Sequence, residues 1–463
     1  MTYKNSSVPS RSTAQRSLST PAKPAGNRIA TNVHIRYPLL VLITLLTLFV
    51  ACTRGPVSAP APIPAPTPEP IPAPAPTPGP APQPQSALTR LDRADYPLFA
   101  DTNGYRDLTR GIDMSLVYLR KLPPQRTFAY AADTYTAAHL IRSLEAFSAI
   151  IREAPTPQVL QCLLSERFRV YRATGRSPSA KVLFTGYYEP ILKGRKTASE
   201  AFPVPVYSRP ADLVEIDLAP FASDLKGRRI VGRYADRKVV PYWDRQQIRQ
   251  QPDFMRIAPP LAWLKDEIDL FNLMVQGSGK IDLENGETLQ IGFDVSNGHP
   301  YRSIGRHLID QGKIKADKMS MQAIRAYLQQ NPNQSDAILA YNQRYIFFRR
   351  IAQGPVGSLG VALTPLRSIA VDHGIFPSGG LAFVRLPVPQ VDRRGRIQHW
   401  GPMQGFALAQ DAGSAITGPG RVDLFWGNGL QAEVSASHSK HEGELYFLVL
   451  DPGAAEGPWL PSN

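Results

Sequence analysis

Residues 409–427 read AQDAGSAITGPGRVDLFWG, where one alternating apolar run ends at Asp411 and a second has Asp423 in its middle. Glycine, serine and proline lie between the two runs, so the pattern predicts two short strands joined by a tight connection. A similar run, RSIAVDHG at 367–374, contains Asp372. The sequence therefore predicts three aspartates at or near strand ends, in a barrel mouth or at a sheet edge that water and a substrate can reach.

The length and charge of the chain limit its class. With 463 residues, 43% of them hydrophobic and 19% charged, it can bury a substantial core in two or three domains. The formal net charge is +14, and residues 1–52 contribute six basic residues and no acidic ones. The remaining positive charge suits nucleic acid, anionic lipid or a carboxylate-bearing cell-wall polymer. No basic run is interleaved with aromatic residues, so we predict no nucleic-acid partner.

The N-terminal segment has the pattern of a secretory signal. A basic, polar region precedes an apolar block at 38–51, which is shorter than the roughly 20 apolar residues that a membrane span needs. The sequence Phe49-Val50-Ala51-Cys52 resembles the bacterial lipobox, in which the cysteine is diacylated and becomes the new N-terminus. We predict a lipoprotein signal peptide at 1–52 with lipidation of Cys52. A single uncleaved N-terminal anchor is the alternative.

A tract rich in proline and alanine follows at 56–85. This composition predicts extended polyproline II, so residues 53–86 are expected to form a semi-rigid tether. A protein-binding role is the alternative. A lipid followed by a stiff spacer indicates a target at some distance from the membrane surface.

From about residue 87 the pattern is globular. Apolar residues at helical spacing predict a helix at 137–153 and another that begins after Thr156-Pro157, and residues 181–190 predict a strand. Short helices are predicted at 320–328 and 335–343. Cys162 falls in an apolar helical pattern and is predicted to be a small buried hydrophobe.

Asp423 is the candidate general acid. Its neighbours are Val422, Leu424, Phe425 and Trp426, which can exclude water from the carboxyl group and so raise its pKa. A carboxyl that stays protonated near neutrality can protonate a leaving oxygen. The residues alone leave open an aspartate that only binds backbone N–H groups. Asp411 and Asp372 are expected to hold turns or to orient Asp423.

Other residues are typical of a sugar-binding groove. Gln276, Gly277 and Ser278 follow an apolar run and are predicted to lie on a flexible loop. Four aromatic residues could stack on pyranose rings, although each alone is more typical of a core: Tyr187, Tyr188, Trp263 and Trp426. The histidines have no metal-ligand spacing, so no metal and no cofactor are predicted.

Six segments, taken together, resemble the membrane-bound lytic murein transglycosylase A family over about residues 95–450. They are TGYYEP at 185–190, VQGSG at 275–279, NGHPYRSIG at 297–305, MSMQAI at 319–324, YIFF at 345–348 and the segment with the three aspartates. Each segment alone would be a weak signal, whereas six in the same order make a specific one.

The resemblance implies a mainly β fold with packing helices: a double-psi β-barrel interrupted by a smaller inserted β-barrel, with a glycan groove between them. We map the catalytic barrel with its N-terminal helices to 87–190 plus 313–463, and the insertion to 191–312.

The resemblance also implies a reaction. The family's catalytic aspartate matches Asp423, which would cleave the β-1,4 bond between N-acetylmuramic acid and N-acetylglucosamine without water. Asp423 would protonate the glycosidic oxygen and then, as a base, help the C6 hydroxyl attack C1, giving a 1,6-anhydromuramoyl end. One carboxyl suffices because the nucleophile belongs to the substrate, unlike in ordinary glycosidases. Thr185 and Gln276 match positions that hold the glycan.

The residues are also compatible with two other functions. One is an inverting glycoside hydrolase that uses Asp411 and Asp423 as a pair, and the other is a lipid-tethered, non-catalytic peptidoglycan-binding protein. The lipobox, with Thr53 after it, favours the periplasmic face of the outer membrane of a Gram-negative bacterium. Wall-remodelling protein complexes are further candidate partners.

Overall fold

The structure is a computed structural model that describes residues 86–176 and 179–454. The described residues belong to one compact unit. The predicted signal peptide, Cys52 and the tether up to residue 85 lie outside the described residues. Among the helices of the described ranges, none is long and apolar enough to span a bilayer.

Strands make up most of the regular structure. In chain order they are β1 (Leu88–Arg90), β2 (Thr127–Tyr130), β3 (Asp133–Thr136), β4 (Phe168–Ala173), β5 (Val182–Glu189), β6 (Ile191–Arg195), β7 (Val204–Tyr207), β8 (Leu213–Asp217), β9 (Arg229–Ala235), β10 (Lys238–Pro241), β11 (Pro260–Leu264), β12 (Ser278–Leu283), β13 (Thr288–Ser296), β14 (Ile346–Arg350), β15 (Ser368–Ala370), β16 (Leu381–Val391), β17 (Ile397–Asp411), β18 (Arg421–Asn428) and β19 (Lys440–Leu450).

Helices lie before, between and after these strands. They are α1 (Leu108–Leu119), α2 (Ala137–Arg152), α3 (Pro157–Arg167), α4 (Arg245–Gln250), α5 (Phe254–Ile257), α6 (Glu267–Gln276), α7 (Ile304–Asp310), α8 (Met321–Gln330), α9 (Pro332–Tyr341) and α10 (Leu430–His438). The predicted helices and the strand at 181–190 are present, with ends shifted by a few residues. The Thr156 hydroxyl accepts a hydrogen bond from the Val159 N–H and so caps α3.

The first barrel contains the aspartate segment. Its strands pair in the order β19, β16, β17, β15, β18 and β5, and β5 pairs again with β19, which closes the ring. Two of these pairs are parallel, β15 with β17 and β18 with β5. Together with the family relationship reported below, this arrangement confirms the predicted mainly β fold with a double-psi barrel.

A second, smaller barrel has the strand order β14, β13, β12, β6, β11 and β7. A bridge between Ser208 and Phe348 brings the two ends of this order together. Each barrel has its own apolar core. A separate three-stranded sheet, β10-β9-β8, lies within the same stretch of chain.

The position of β14 changes the predicted domain boundary. The sequence placed the end of the insertion at residue 312, but β14 pairs with β13 from Ile291 to Ser296 and completes the second barrel. We therefore propose that the inserted domain extends to Arg350. The first barrel resumes at β15.

Cys162 corrects a second prediction. Its side chain is exposed on α3, and its Sγ lies 3.4 Å from the Glu166 carboxylate. The prediction of a buried cysteine was wrong because α3 packs through Leu160, Leu163 and Leu164, and residue 162 lies on a different face of the helix.

The two barrels join at Glu189, the last residue of β5. Its fully buried carboxylate accepts hydrogen bonds from Gln290 Nε2 at 2.7 Å and Asn428 Nδ2 at 3.0 Å. Lys280 Nζ lies 3.5 Å away. Because Asn428 belongs to the first barrel and the other two to the second, this one carboxylate fixes the barrels against each other.

Candidate active site

Asp423 lies on β18 between two neighbouring strands. It pairs with Ala370 of β15 on one side and with Thr185 of β5 on the other. The Thr185 hydroxyl donates a hydrogen bond to the Asp423 carboxylate, although 238 positions separate the two residues along the chain. Arg421 Nε lies 3.9 Å from the same carboxylate, and 18% of the Asp423 side chain is exposed.

The surroundings of this carboxyl group favour its protonated form. Burial raises the pKa of Asp423 to about 6; the Arg421 guanidinium opposes the rise, and the negative charge of Asp411 adds to it. Among the described residues, no backbone N–H group donates to the carboxylate, so little replaces the water that burial removes. Asp423 can therefore carry a proton into a reaction near neutral pH.

Asp411, at the end of β17, is placed differently. Its carboxylate accepts hydrogen bonds from the backbone N–H groups of Ser358 and Ala412, both at 2.8 Å. Burial raises the pKa of Asp411, and these N–H groups oppose the rise. Asp411 therefore fixes the chain beside the site and adds negative charge next to Asp423.

Asp372 holds a turn. One carboxylate oxygen accepts from the Gly374 N–H at 3.0 Å and the other from the Gly418 N–H at 2.8 Å. The second of these bonds holds the connection between β17 and β18, which ends just before Asp423. Asp372 does not line the cavities described next. That Asp372 supports the site stays a prediction.

Two cavities meet beside Asp423. The larger, of about 560 Å³, lies between the two barrels and is lined by Asp423 and Asp411 from the first and by Phe293 and Met274 from the second. The smaller, of about 260 Å³, is lined by Thr185. Three residues are shared by the linings of the two cavities: Val275, Gln276 and Tyr301. The carboxyl and its hydroxyl partner thus lie where the two cavities adjoin, which suits a chain-like substrate with sugars on both sides of the cleaved bond.

Comparisons with known proteins identify the family. The MltA specific insert domain matches residues 183–349, and the 3D domain matches residues 367–449. The membrane-bound lytic murein transglycosylase A of Escherichia coli K12 is 30% identical over 292 residues, which cover 61% of this chain and 70% of that protein. The chain belongs to the membrane-bound lytic murein transglycosylase A family.

Solved structures agree with this family. A membrane-bound lytic murein transglycosylase from Agrobacterium tumefaciens has a TM-score of 0.64 and 28% identity, over 79% of this chain and 98% of that chain. MltA from Neisseria gonorrhoeae, in a monoclinic form, has a TM-score of 0.59 and 27% identity, over 79% and 93% of the two chains. The E. coli MltA with bound chitohexaose, at 24% identity, a TM-score of 0.60 and 80% and 96% coverage, supports the fold.

In this transglycosylase A family member, Gln276 and its neighbours do not form the predicted flexible loop. Gln276 is the last residue of α6, Gly277 ends the helix with a φ of 78°, and Ser278 begins β12. Gln276 Oε1 accepts a hydrogen bond from the Tyr188 N–H at 2.9 Å. All three residues line the larger cavity, so the prediction that they lie together at a groove agrees with the structure, although the expected flexibility was wrong.

The adjacent residues Tyr187 and Tyr188 lie in different surroundings. Tyr187 lines the larger cavity and packs against Phe425, with ring centroids 5.2 Å apart. Burial, followed by the charge of Asp411, raises the pKa of the Tyr187 hydroxyl well above its usual value. Tyr188 lines the smaller cavity, but it is buried and its hydroxyl accepts from Asn272 Nδ2 at 2.8 Å.

Neither predicted tryptophan lines the two cavities. Trp426 lies three residues beyond Asp423 on β18, hence on the opposite face of the strand, where it packs against Tyr188 and α10. A Cβ at Gly186 would lie 2.6 Å from the Trp426 indole nitrogen, so only glycine fits there. Trp263 alternates with the buried Ala262 and Leu264 and so lies on the outer face of the second barrel. The sequence shows which residues are aromatic but not on which side of a strand each ring lies.

Some lining residues had no predicted role. Tyr301 lines both cavities, and Phe293, half-exposed on β13, lines the larger one with Arg344 and Arg349. Burial raises the pKa of the Tyr301 hydroxyl, and Arg421 and Asp423 lie close enough to act on it. The signal for Tyr301 was its place in the NGHPYRSIG segment. Phe293 and the arginines had none.

Proposed function

We propose that this enzyme, a lytic transglycosylase of peptidoglycan, uses Asp423 as its single general acid and base. The observation that carries the proposal is a carboxyl group with a raised pKa, placed where two cavities meet and bonded to one hydroxyl. Protonated Asp423 donates its proton to the glycosidic oxygen, and the bond to C1 of N-acetylmuramic acid breaks. The resulting carboxylate accepts the proton of the C6 hydroxyl as that oxygen bonds to C1, so no water is consumed.

Thr185, Gln276 and Tyr187 are assigned to the groove around this carboxyl. Thr185 orients the Asp423 carboxylate through its hydroxyl. Gln276, whose Oε1 is already bonded to the Tyr188 N–H, has its amide nitrogen left to donate to a sugar hydroxyl. Tyr187 and Tyr301 supply ring surface next to the cleaved bond. Asp411 and Asp372 hold the surrounding turns and do not act on the substrate.

The location of the enzyme is also a proposal. We infer that Cys52 is lipidated and that the Pro/Ala tract tethers the two barrels at the periplasmic face of the outer membrane, near the glycan strands. A Cys52→Ser chain expressed in a Gram-negative host is expected to lack acyl chains by mass spectrometry and to be released from membranes by high salt and carbonate, whereas the wild type stays bound. If the wild type carried no acyl chains, the lipid-anchor assignment would be wrong.

The decisive experiment digests purified peptidoglycan with residues 53–463, which include every described residue, and measures product masses. The wild type is expected to give 1,6-anhydromuropeptides, and Asp423→Asn to be slower by about 10³-fold, the usual scale of general acid–base catalysis. Asp411→Asn is the matched control and is expected to keep the anhydro products.

The alternatives give other results. Products one water heavier, lost in Asp411→Asn, would indicate an inverting hydrolase with Asp411 as its water-activating base. If the wild type and Asp423→Asn both bound peptidoglycan and neither released products, the protein would be a non-catalytic binding protein.

A further inference from the structure

The three-stranded sheet β8-β9-β10 has one face made only of apolar residues and glycine. In the strand register, Ile230 pairs with Ile216, Tyr234 with Val239, and Gly232 with both Val214 and Pro241. Directly paired residues share a face of a sheet. We call this set the outer sheet face: Val214, Ile216, Ile230, Tyr234, Val239 and Pro241.

The opposite face of the same sheet packs against the second barrel. Leu213 is buried in the core of the second barrel, and Val231 packs against that core. The Arg233 guanidinium lies 4.5 Å from the centroid of the Trp243 ring. Since this side packs on the barrel, the outer sheet face points away from it. Ile230 is 46% exposed and Tyr234 is 68% exposed.

This exposure is concentrated. Of the large hydrophobic residues that are exposed in the described part of the chain, Val214, Ile230, Tyr234 and Val239 all belong to the outer sheet face. Phe221, in the connection between β8 and β9, is 73% exposed beside them. Scattered single apolar residues are normal on a surface, whereas a contiguous set marks an interaction site.

Basic residues lie at both ends of the strands. Lys226 and Arg228 precede β9, Arg237 lies in the turn before β10, and Lys238 begins β10 on the opposite face of the sheet; all four are exposed, and none has an ion pair among the described residues. Residues 213–241 contain six basic and four acidic residues. Arg229 pairs with Glu215 and Arg233 lies over Trp243, so four basic and three acidic residues remain at the strand ends, a small positive excess.

The size of the face argues against a second protein chain. Three strands of up to seven residues cover about 14 Å by 23 Å, or about 300 Å². A stable protein interface needs about 800 Å² from each partner. A glycan strand is equally unsuitable, because sugars stack on aromatic rings and hydrogen-bond to polar groups, and this face offers one tyrosine among aliphatic side chains.

We propose that the outer sheet face docks on an anionic phospholipid surface. Its aliphatic residues and Phe221 enter the boundary between headgroups and acyl chains, Tyr234 lies at the level of the headgroups, and Lys226, Arg228 and Arg237 at the strand ends contact lipid phosphates. Such a contact orients the inserted barrel at the membrane independently of any acyl chain. The proposal does not depend on the catalytic assignment.

The test measures co-sedimentation of residues 53–463, which lack Cys52, with vesicles of phosphatidylethanolamine and phosphatidylglycerol at 3:1. The Ile230→Ser/Tyr234→Ser variant is expected to bind at least tenfold more weakly. The matched control Leu98→Ser/Leu430→Ser removes two exposed apolar residues elsewhere and is expected to bind like the wild type. A Lys226→Gln/Arg228→Gln/Arg237→Gln variant is expected to lose the preference for anionic over pure phosphatidylcholine vesicles.

Two readouts separate docking from damage to the fold. All variants are expected to keep the wild-type rate on lipid-free peptidoglycan, because none of the substituted residues lines the cavities. Sedimentation velocity without lipid is expected to show the same monomer for each. Equal vesicle binding by wild type and the Ile230→Ser/Tyr234→Ser variant, or no binding by either, would overturn the proposal. A self-association that only this variant loses would assign the face to a second copy and overturn it equally.

Discussion

Asp372 and Asp423 have similar sequence surroundings, since each adjoins short apolar runs and is close to glycine. Their environments in the folded chain are opposite. Both carboxylate oxygens of Asp372 accept backbone N–H groups, from Gly374 and Gly418. Asp423 has a hydroxyl, from Thr185, and a guanidinium at 3.9 Å.

The difference lies in what replaces water. Backbone N–H groups stabilise a carboxylate and fix a turn, which makes Asp372 a structural residue. Asp423 loses water in the middle of a strand, where the neighbouring backbone groups already pair with β15 and β5. Its charged form is therefore less stable than that of an aspartate in water, which is the property that a general acid needs.

The largest effect is expected in the pH dependence of the reaction. Because burial raises the pKa of Asp423 to about 6, the acid form is complete below that pH and is lost above it. If the free enzyme must carry this proton, kcat/KM falls by about tenfold per pH unit well above 6, and by about 50-fold between pH 6 and 8. Initial rates on solubilised glycan strands from pH 4.5 to 8 measure this. A rate that stays flat to pH 8 would contradict the assignment of Asp423 as the acid.

A comparison of stability needs no substrate. The pKa of Asp423 in the folded chain lies above its usual value of 3.8. This group therefore lowers the free energy of unfolding of the wild type as the pH rises from about 4 to about 6, and it has no such effect below about 4. Asp423→Asn removes this penalty and is expected to raise the free energy of unfolding by about 2 kcal/mol at pH 8, with no gain at pH 4. Asp372→Asn loses charge-assisted hydrogen bonds and is expected to lower it by about 1–2 kcal/mol at pH 8.

Urea denaturation of both variants at the two pH values measures these changes. The comparison fails if both substitutions destabilise the chain equally at pH 8, because the two carboxylates would then have the same role.

The smallest effect is expected for the hydroxyl partner. Thr185→Val keeps the shape of the side chain and removes the hydrogen bond to Asp423. The carboxylate then loses its donor, so its pKa is expected to rise further, by less than about one unit, and kcat to fall by about tenfold. Thr185→Ser, which keeps a hydroxyl, is the control and is expected to shift neither. An unchanged pH profile in Thr185→Val would show that this bond does not influence the acid.

Much of the fold follows from local sequence. Strands around the aspartates, the Thr156 cap of α3 and the helices of the middle region are predicted by apolar spacing and turn residues, which act within a few positions. The family resemblance added the two barrels. The predicted end of the insertion at residue 312 leaves out β14, which follows three helices and pairs with a strand about fifty residues earlier, and no local pattern specifies that pairing.

For the site, local sequence is enough to show which residue types are available and that Asp372, Asp411 and Asp423 come at or near strand ends. The solvation of each carboxylate follows from the folded chain alone, because it depends on residues far along the sequence: Ser358 for Asp411, Gly418 for Asp372 and Thr185 for Asp423. Packing of distant residues likewise sets the side of the strand on which Tyr188 and Trp426 lie, and it leaves the outer sheet face apolar and exposed. Burial and strand register are properties of packed neighbours, and packing is what the linear pattern does not contain.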